Sequence, residues 1–186
     1  MSAGSGVPTT VFLDRDGTVI RDTGYVSSPE DVVLLPGAAE AVRLLNRAGI
    51  PVVIVTNQSG IARGYFGEPE FHAVQQRVES LLRAAGARID ATYFCPHVPE
   101  DGCDCRKPGL GLYLNAASEV GVDLAGAVYV GDRARDVLPA LELGGKGLLV
   151  AGNAGGYDDP VPPECLRAPD LLAGVRMLLS DPEGDR

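Results

Sequence analysis

Three short apolar runs with no polar interruption constrain this chain more than any other feature. Val11-Phe12-Leu13 runs into Asp14-Arg15-Asp16-Gly17-Thr18, Val52-Val53-Ile54-Val55 into Thr56-Asn57-Gln58-Ser59-Gly60, and Ala127-Val128-Tyr129-Val130 into Gly131-Asp132. Runs this short, rich in β-branched and aromatic residues and closed by turn formers, read as strands. They do not alternate apolar with polar residues, so both faces must be covered, as in a parallel sheet. Helical spacing lies between them: Ala38, Ala41, Val42, Leu44 and Leu45 after Pro36-Gly37, and Phe71, Val74, Val78, Leu81 and Leu82 within 68–85. Further helices are expected at 110–120, 134–143 and about 170–179, with strands at 89–94 and 147–150. Strands alternating with helices specify a doubly wound α/β domain with right-handed crossovers. No repeat or linker is visible, so residues 1–186 are expected to form one domain. Residues 1–8 and 181–186 read as flexible tails, and 152–163 as a glycine- and proline-rich connection.

In such a sheet the carboxyl ends of the strands share one edge, where ligands bind. That edge would carry Asp14 and Asp16, Thr56 and Asn57, and Asp132. Taken singly, each has an ordinary explanation as a turn or helix-cap residue; three strands ending this way point to one site. Asp14, Asp16 and Asp132 offer hard oxygen ligands suited to Mg²⁺, which keeps several waters and binds phosphate. A carboxylate beside the metal can attack phosphorus, and Asp14, fixed at the strand end, is the candidate nucleophile. Asp16, two residues on, can protonate a leaving alcohol and later activate water. Thr56 and Asn57 can donate to phosphoryl oxygens, and Arg106 and Lys107 can supply positive charge. Asp136 could orient Lys107 or a metal-bound water, or face solvent.

Charge limits the partners. Sixteen Lys and Arg against 25 Asp and Glu give a net charge of −9, which disfavours nucleic acid. A small anionic substrate would then need a local cationic cluster or a metal. The N-terminus lacks the apolar core of a signal peptide, and no apolar run reaches spanning length. The expectation is a cytoplasmic protein without membrane partners, monomeric because no unusually apolar surface pattern shows.

Of the 4 cysteines, Cys95, Cys103 and Cys105 crowd with His97 into one loop. Without an export signal this reads as a metal site, and three Cys with one His form a closed tetrahedral set for structural Zn²⁺. The loop leads straight into Arg106-Lys107, so zinc would pin the segment bearing the cations. His72 reads as a helix-surface histidine and Cys165 as an ordinary thiol.

Asp14-Arg15-Asp16-Gly17-Thr18, Thr56-Asn57-Gln58, Lys107-Pro108 and Gly131-Asp132 with Asp136 resemble the four ordered motifs of the haloacid dehalogenase superfamily. The resemblance implies that Asp14 is the nucleophile. It makes Asp16 the acid/base, giving Mg²⁺ its backbone carbonyl, and Asp132 a further Mg²⁺ ligand. Aspartate at the second position implies a phosphatase, and short connections imply a capless, open site. The Cys95/His97/Cys103/Cys105 loop followed by Arg-Lys-Pro is similar to the superfamily's zinc-containing branch, whose members dephosphorylate D-glycero-D-manno-heptose 1,7-bisphosphate or histidinol phosphate. Residues 56–64 and 22–26 look like the heptose enzymes. That likeness implies substrate contacts at Asp22, Thr23, Gly24, Tyr25, Thr56, Asn57, Gln58, Ser59, Arg106, Lys107 and Arg133, with Arg106 and Arg133 meeting a second phosphate. The short spacer from His97 to Cys103 and the arginine at 133 keep a stand-alone histidinol-phosphate phosphatase open. A zinc-stabilised binding module without turnover is the third reading.

Overall fold

The computed structural model describes residues 7–151 and 160–180. Residues 1–6 of the tail expected at 1–8, the tail expected at 181–186, and residues 152–159 of the connection expected at 152–163 lie outside the described residues. Strands β1 (Thr10–Leu13), β2 (Val52–Asn57), β3 (Ala91–Cys95), β4 (Ala127–Gly131), β5 (Lys146–Val150) and β6 (Leu166–Ala168) form one parallel sheet in the order β3-β2-β1-β4-β5-β6. Helices α1 (Ala38–Arg47), α2 (Glu68–Ala84), α3 (Gly111–Val120), α4 (Ala134–Val137), α5 (Pro139–Leu143) and α6 (Leu171–Leu179) complete the α/β fold.

The apolar runs are continuous because successive strand residues serve opposite cores. Val11, Leu13, Val52, Ile54, Val128, Val130, Leu148 and Val150 pack with α1, α2 and α6. Phe12, Val53, Val55, Ala127 and Tyr129 face the other way, against Leu112, Tyr113 and Ala116 of α3 and Ala140 of α5. Phe12 stacks on Tyr129 at 5.1 Å between ring centroids and meets Tyr113 edge-on at 5.1 Å, both favourable aromatic geometries.

The chain winds outward from β1 through β2 to β3, then returns to lay β4 on the other side of β1. The order therefore reverses between β1 and β4, and the crevice at that reversal is where α/β sheets bind ligands. Between β1 and α1 the chain adds only one short helical turn, Pro29–Asp31.

Two features depart from the sequence reading. The helix expected over 134–143 is two, because Pro139 has no N–H to continue α4 and starts α5 instead. The strand β6 was not anticipated: its three residues, Leu166-Arg167-Ala168, carry no recognisable period and gain their ladder only by pairing with Leu148, Leu149 and Val150.

On the α6 side, a Cβ at Gly174 would lie 2.7 Å from Leu148 Cδ2 and 3.3 Å from Ala168 Cβ. Leu148→Ala is expected to cost about 2–5 kcal/mol. Gly174→Ala should be neutral or destabilising in the wild type. In the Leu148→Ala background it should stabilise, because the methyl enters the vacated space and α6 gains about 1 kcal/mol of helix propensity. Urea unfolding of the four proteins measures this coupling; additive effects would refute the packing assignment.

Candidate active site

Asp14 directly follows β1, and its N–H donates to Val130 O at 2.9 Å, carrying the β1–β4 ladder one residue beyond the strand. Gly17 turns the chain there with φ +90°, and a Cβ would lie 2.4 Å from Asp132 Oδ2. Only glycine lets this turn reach the end of β4. Asp14, Asp16, Thr56, Asn57, Gln58, Ser59, Asp22, Gly24, Tyr25, Arg63, Arg106 and Arg135 line a cleft of about 370 Å³ over the strand ends.

Beneath it, Lys107 is 3% exposed. Its Nζ donates to Asp14 Oδ1 at 2.8 Å and to Val55 O at 2.6 Å, and pairs with Asp136 Oδ1 at 2.8 Å. Two of its three donors thus make hydrogen bonds, and the third acceptor within reach is the ion-paired Asp136 oxygen. Burial opposes the charge, but the Asp136 and Asp14 carboxylates hold the lysine's pKa above its ordinary value. Carboxylate oxygens of Asp14, Asp132 and Asp136 lie within 4.8 Å of one another. Burial, then the charges of Asp14 and Asp136, push Asp132 up to about 7, against Arg133 and Arg135. Burial and Asp14 raise Asp136 as well, against Lys107. Raised acids in a shared pocket mark unbalanced negative charge, which a hard divalent cation would neutralise.

Asp16 is held separately. Its Oδ2 accepts from Gln58 Nε2 at 2.8 Å and Arg15 Nε at 3.1 Å, and its Oδ1 from Arg15 Nη2 at 3.2 Å. Gln58 Nε2 also donates to Thr56 Oγ1 at 2.8 Å. Burial raises the Asp16 pKa, with Asp14 adding to it and Arg15 opposing.

The loop after β3 brings together Cys95, His97, Cys103 and Cys105 within 4.8 Å. Cys105 Sγ is 3.0 Å from Cys95 Sγ, 3.4 Å from Cys103 Sγ and 3.2 Å from His97 Nδ1. Ligands about 2.3 Å from a tetrahedral centre stand slightly under 4 Å apart, so this soft S₃N donor set fits one metal ion with little adjustment. Burial raises Cys95; against the same penalty, bonds from Cys105 and the Arg106 backbone bring Cys103 to about 7. Arg106 Nη1 donates to His97 O at 3.0 Å, and the Asn57 amide both donates to Lys107 O at 3.1 Å and accepts from Lys107 N at 3.0 Å. Loop and strand end thus grip the Arg106-Lys107 segment from two sides.

The structure gathers most residues singled out from the sequence and reassigns a few. Asn57, expected to face a phosphoryl group, spends its side chain on the Lys107 backbone while still bordering the cleft. Thr23 is exposed and is not among the cleft-lining residues. Arg133 lies beside Asp132, with Nε 3.7 Å from Oδ2, and Arg135 borders the cleft in its place. Sequence reasoning missed Arg63 and Arg135 as lining residues; Arg63 sat inside the quoted 56–64 stretch, but nothing in its spacing told it from a surface arginine. It also missed Arg15, which is 1% exposed.

The chain is similar to known proteins along most of its length. Residues 10–146 match the family described as polynucleotide kinase 3 phosphatase. The D-glycero-beta-D-manno-heptose-1,7-bisphosphate 7-phosphatase of Bordetella bronchiseptica is 43% identical over 135 residues, covering 72% of this chain and 75% of that protein. Its Pseudomonas aeruginosa counterpart is 37% identical over 178 residues, covering 91% and 97%. A crystal structure of D,D-heptose 1,7-bisphosphate phosphatase from B. bronchiseptica, complexed with magnesium and phosphate, superposes with a TM-score of 0.84 at 39% identity, covering 91% of this chain and 98% of that one. With its sheet, its four acidic and cationic motifs and its Cys/His loop, the chain belongs to the D,D-heptose 1,7-bisphosphate 7-phosphatase family of haloacid-dehalogenase-like proteins.

Proposed function

We propose that this protein is a Mg²⁺-dependent phosphatase that removes the 7-phosphate of D-glycero-D-manno-heptose 1,7-bisphosphate through an aspartyl phosphate on Asp14. The observation that carries the reading is a strand-end aspartate, held by a buried lysine, at the floor of a cleft bordered by three arginines. The names of its relatives supply the substrate.

Lys107 holds Asp14 Oδ1, leaving Oδ2 to attack phosphorus. As the Asp14 oxygen–phosphorus bond forms, the bond from phosphorus to the sugar's O7 breaks, and Asp16 gives its proton to O7. Asp16, now a carboxylate, takes a proton from water as that water attacks the aspartyl phosphate, releasing inorganic phosphate and restoring Asp14. Thr56 and Lys107 flank the reacting group. Asp14 and Asp132, the Asp16 backbone carbonyl, and Asp136 beside them are the groups that would hold Mg²⁺, which supplies charge neutralisation at the phosphoryl oxygens. Arg106, with Arg63 and Arg135 at the cleft, suits the second phosphate. Cys95, His97, Cys103 and Cys105 suit a structural Zn²⁺ that fixes the loop delivering Arg106 and Lys107.

Asp14→Asn should cut phosphate release by at least about 10³-fold while leaving the protein folded. Wild-type protein should turn over the heptose bisphosphate in strong preference to histidinol phosphate. The opposite preference would overturn the substrate assignment, and a wild type inert to both would overturn the reaction.

Asp132 sits at about 7 before a metal binds. Below that pH it carries a proton that Mg²⁺ must displace. The Mg²⁺ concentration for half-maximal activity should therefore rise as pH falls from 8 to 6, approaching about tenfold per unit below the midpoint; a flat profile would refute the coupling.

Cys103→Ala or Cys105→Ala should lower the melting temperature and activity together, and elemental analysis of the wild type should give about one zinc per chain. Full activity with no zinc would refute the structural role.

A further inference from the structure

The motif's middle residue, Arg15, has no part in the chemistry above, yet it is one of the largest fully buried side chains of the fold. Its guanidinium carbon lies 5.3 Å from the centre of the Phe71 ring on α2, within cation–π range. On its other side, Nε and Nη2 engage both oxygens of Asp16. Nη1 is buried without a hydrogen-bond partner among the described residues. A buried arginine with an unpaired nitrogen is a poor device for stability, since apolar residues of similar volume commonly serve as well or better. What it does accomplish is orientation, because the planar fork fixes a carboxylate's plane in a way a flexible ammonium does not.

The contacts on Asp16 are unequal. Oδ2 takes Arg15, Gln58 and, at 3.5 Å, Thr56, whereas Oδ1 takes only Arg15 Nη2 among these bonds. Resting on the phosphatase reading, we propose that Arg15 is a positioning residue: braced on the Phe71 ring, it locks the Asp16 carboxyl so that Oδ1 is the oxygen that exchanges the proton with substrate and water. Asp16 borders the cleft, so a locked Oδ1 meets the leaving oxygen without a rotamer search. Arg15 touches neither substrate nor phosphorus and acts only through Asp16.

The test uses leaving groups. kcat/KM reports the step in which the phosphorus–oxygen bond to the leaving group breaks. A sugar alkoxide needs the Asp16 proton at that point, whereas 4-nitrophenolate leaves without it. Arg15→Met should lower kcat/KM for the heptose bisphosphate by about 10²-fold and for 4-nitrophenyl phosphate by under about threefold. Arg15→Lys should recover part of the loss. Phe71→Leu, which leaves every direct contact to Asp16 in place, should show the same selectivity at smaller amplitude. Equal losses on both esters, or none on the sugar ester, would overturn the proposal. Should Arg15→Met fail to fold, the selectivity of Arg15→Lys and Phe71→Leu decides between the same outcomes. A wild type that hydrolyses neither ester would instead bring down the phosphatase reading, and this proposal with it.

Discussion

The buried ammonium of Lys107 is the interaction on which the rest of the site depends. It bridges Asp14, at the end of β1, to Asp136, on α4, and anchors to the Val55 carbonyl of β2. Three separately wound elements are thus fixed to one point charge. Without it, Asp14 and Asp136 would face each other across a low-dielectric pocket and one would hold a proton. The lysine is in turn stabilised by them, since an isolated buried ammonium would lose its charge instead. The arrangement is mutually dependent.

The charge count goes further. Asp14, Asp16, Asp132 and Asp136 set four acids around two buried cations, Lys107 and Arg15. The acids outnumber the buried cations; Arg133, with Nε 3.7 Å from Asp132 Oδ2, offsets part of the difference, and a divalent cation would meet the rest. Burial first, and the neighbouring carboxylates after it, raise the pKa values of Asp16, Asp132 and Asp136. Protons and a metal ion compete for the same electrostatic deficit, so the acids at the strand ends are costly to the fold alone and tolerable once a cation joins them.

How much of this was readable in the sequence follows from where each signal resides. Strands covered on both faces must be apolar throughout, so β1, β2 and β4 stood out, and their ends marked the edge of the sheet. Metal-type ligands cluster in sequence, so the Cys/His loop was equally plain. The β6 strand was hidden because a three-residue edge strand draws its stability from a neighbour, not from its own pattern. Pro139 was readable in principle as a break and was passed over because the apolar spacing continues across it. Arg15 was hidden for a stronger reason. Arginine is almost always exposed, and only the packing of Phe71 from a distant helix makes this one internal. That Arg135 borders the cleft while Arg133 lies beside Asp132 depends on a shift of two residues at the start of α4, which spacing alone does not decide.

The acidity of the chain, which taken as a whole opposes an anionic ligand, becomes intelligible at this scale. A net charge of −9 is a property of the whole sequence, and surface charges are screened within about 8–10 Å. Inside the cleft the balance differs, because Arg63, Arg106 and Arg135 border it while Lys107 stands beneath Asp14. These cations come from different segments of the chain, Arg135 from α4, and Arg106 and Lys107 are fixed in place by the Arg106 Nη1 bond to His97 O and by the Asn57 amide on the Lys107 backbone. On the proposed reading, selectivity for a sugar bisphosphate over a monophosphate is then a matter of spacing between two cationic centres, one buried and fixed, one exposed and shared by several arginines. The buried centre governs the chemistry. The exposed one, built on loops free to vary without disturbing the sheet, is where related enzymes can diverge in substrate while keeping the same reaction.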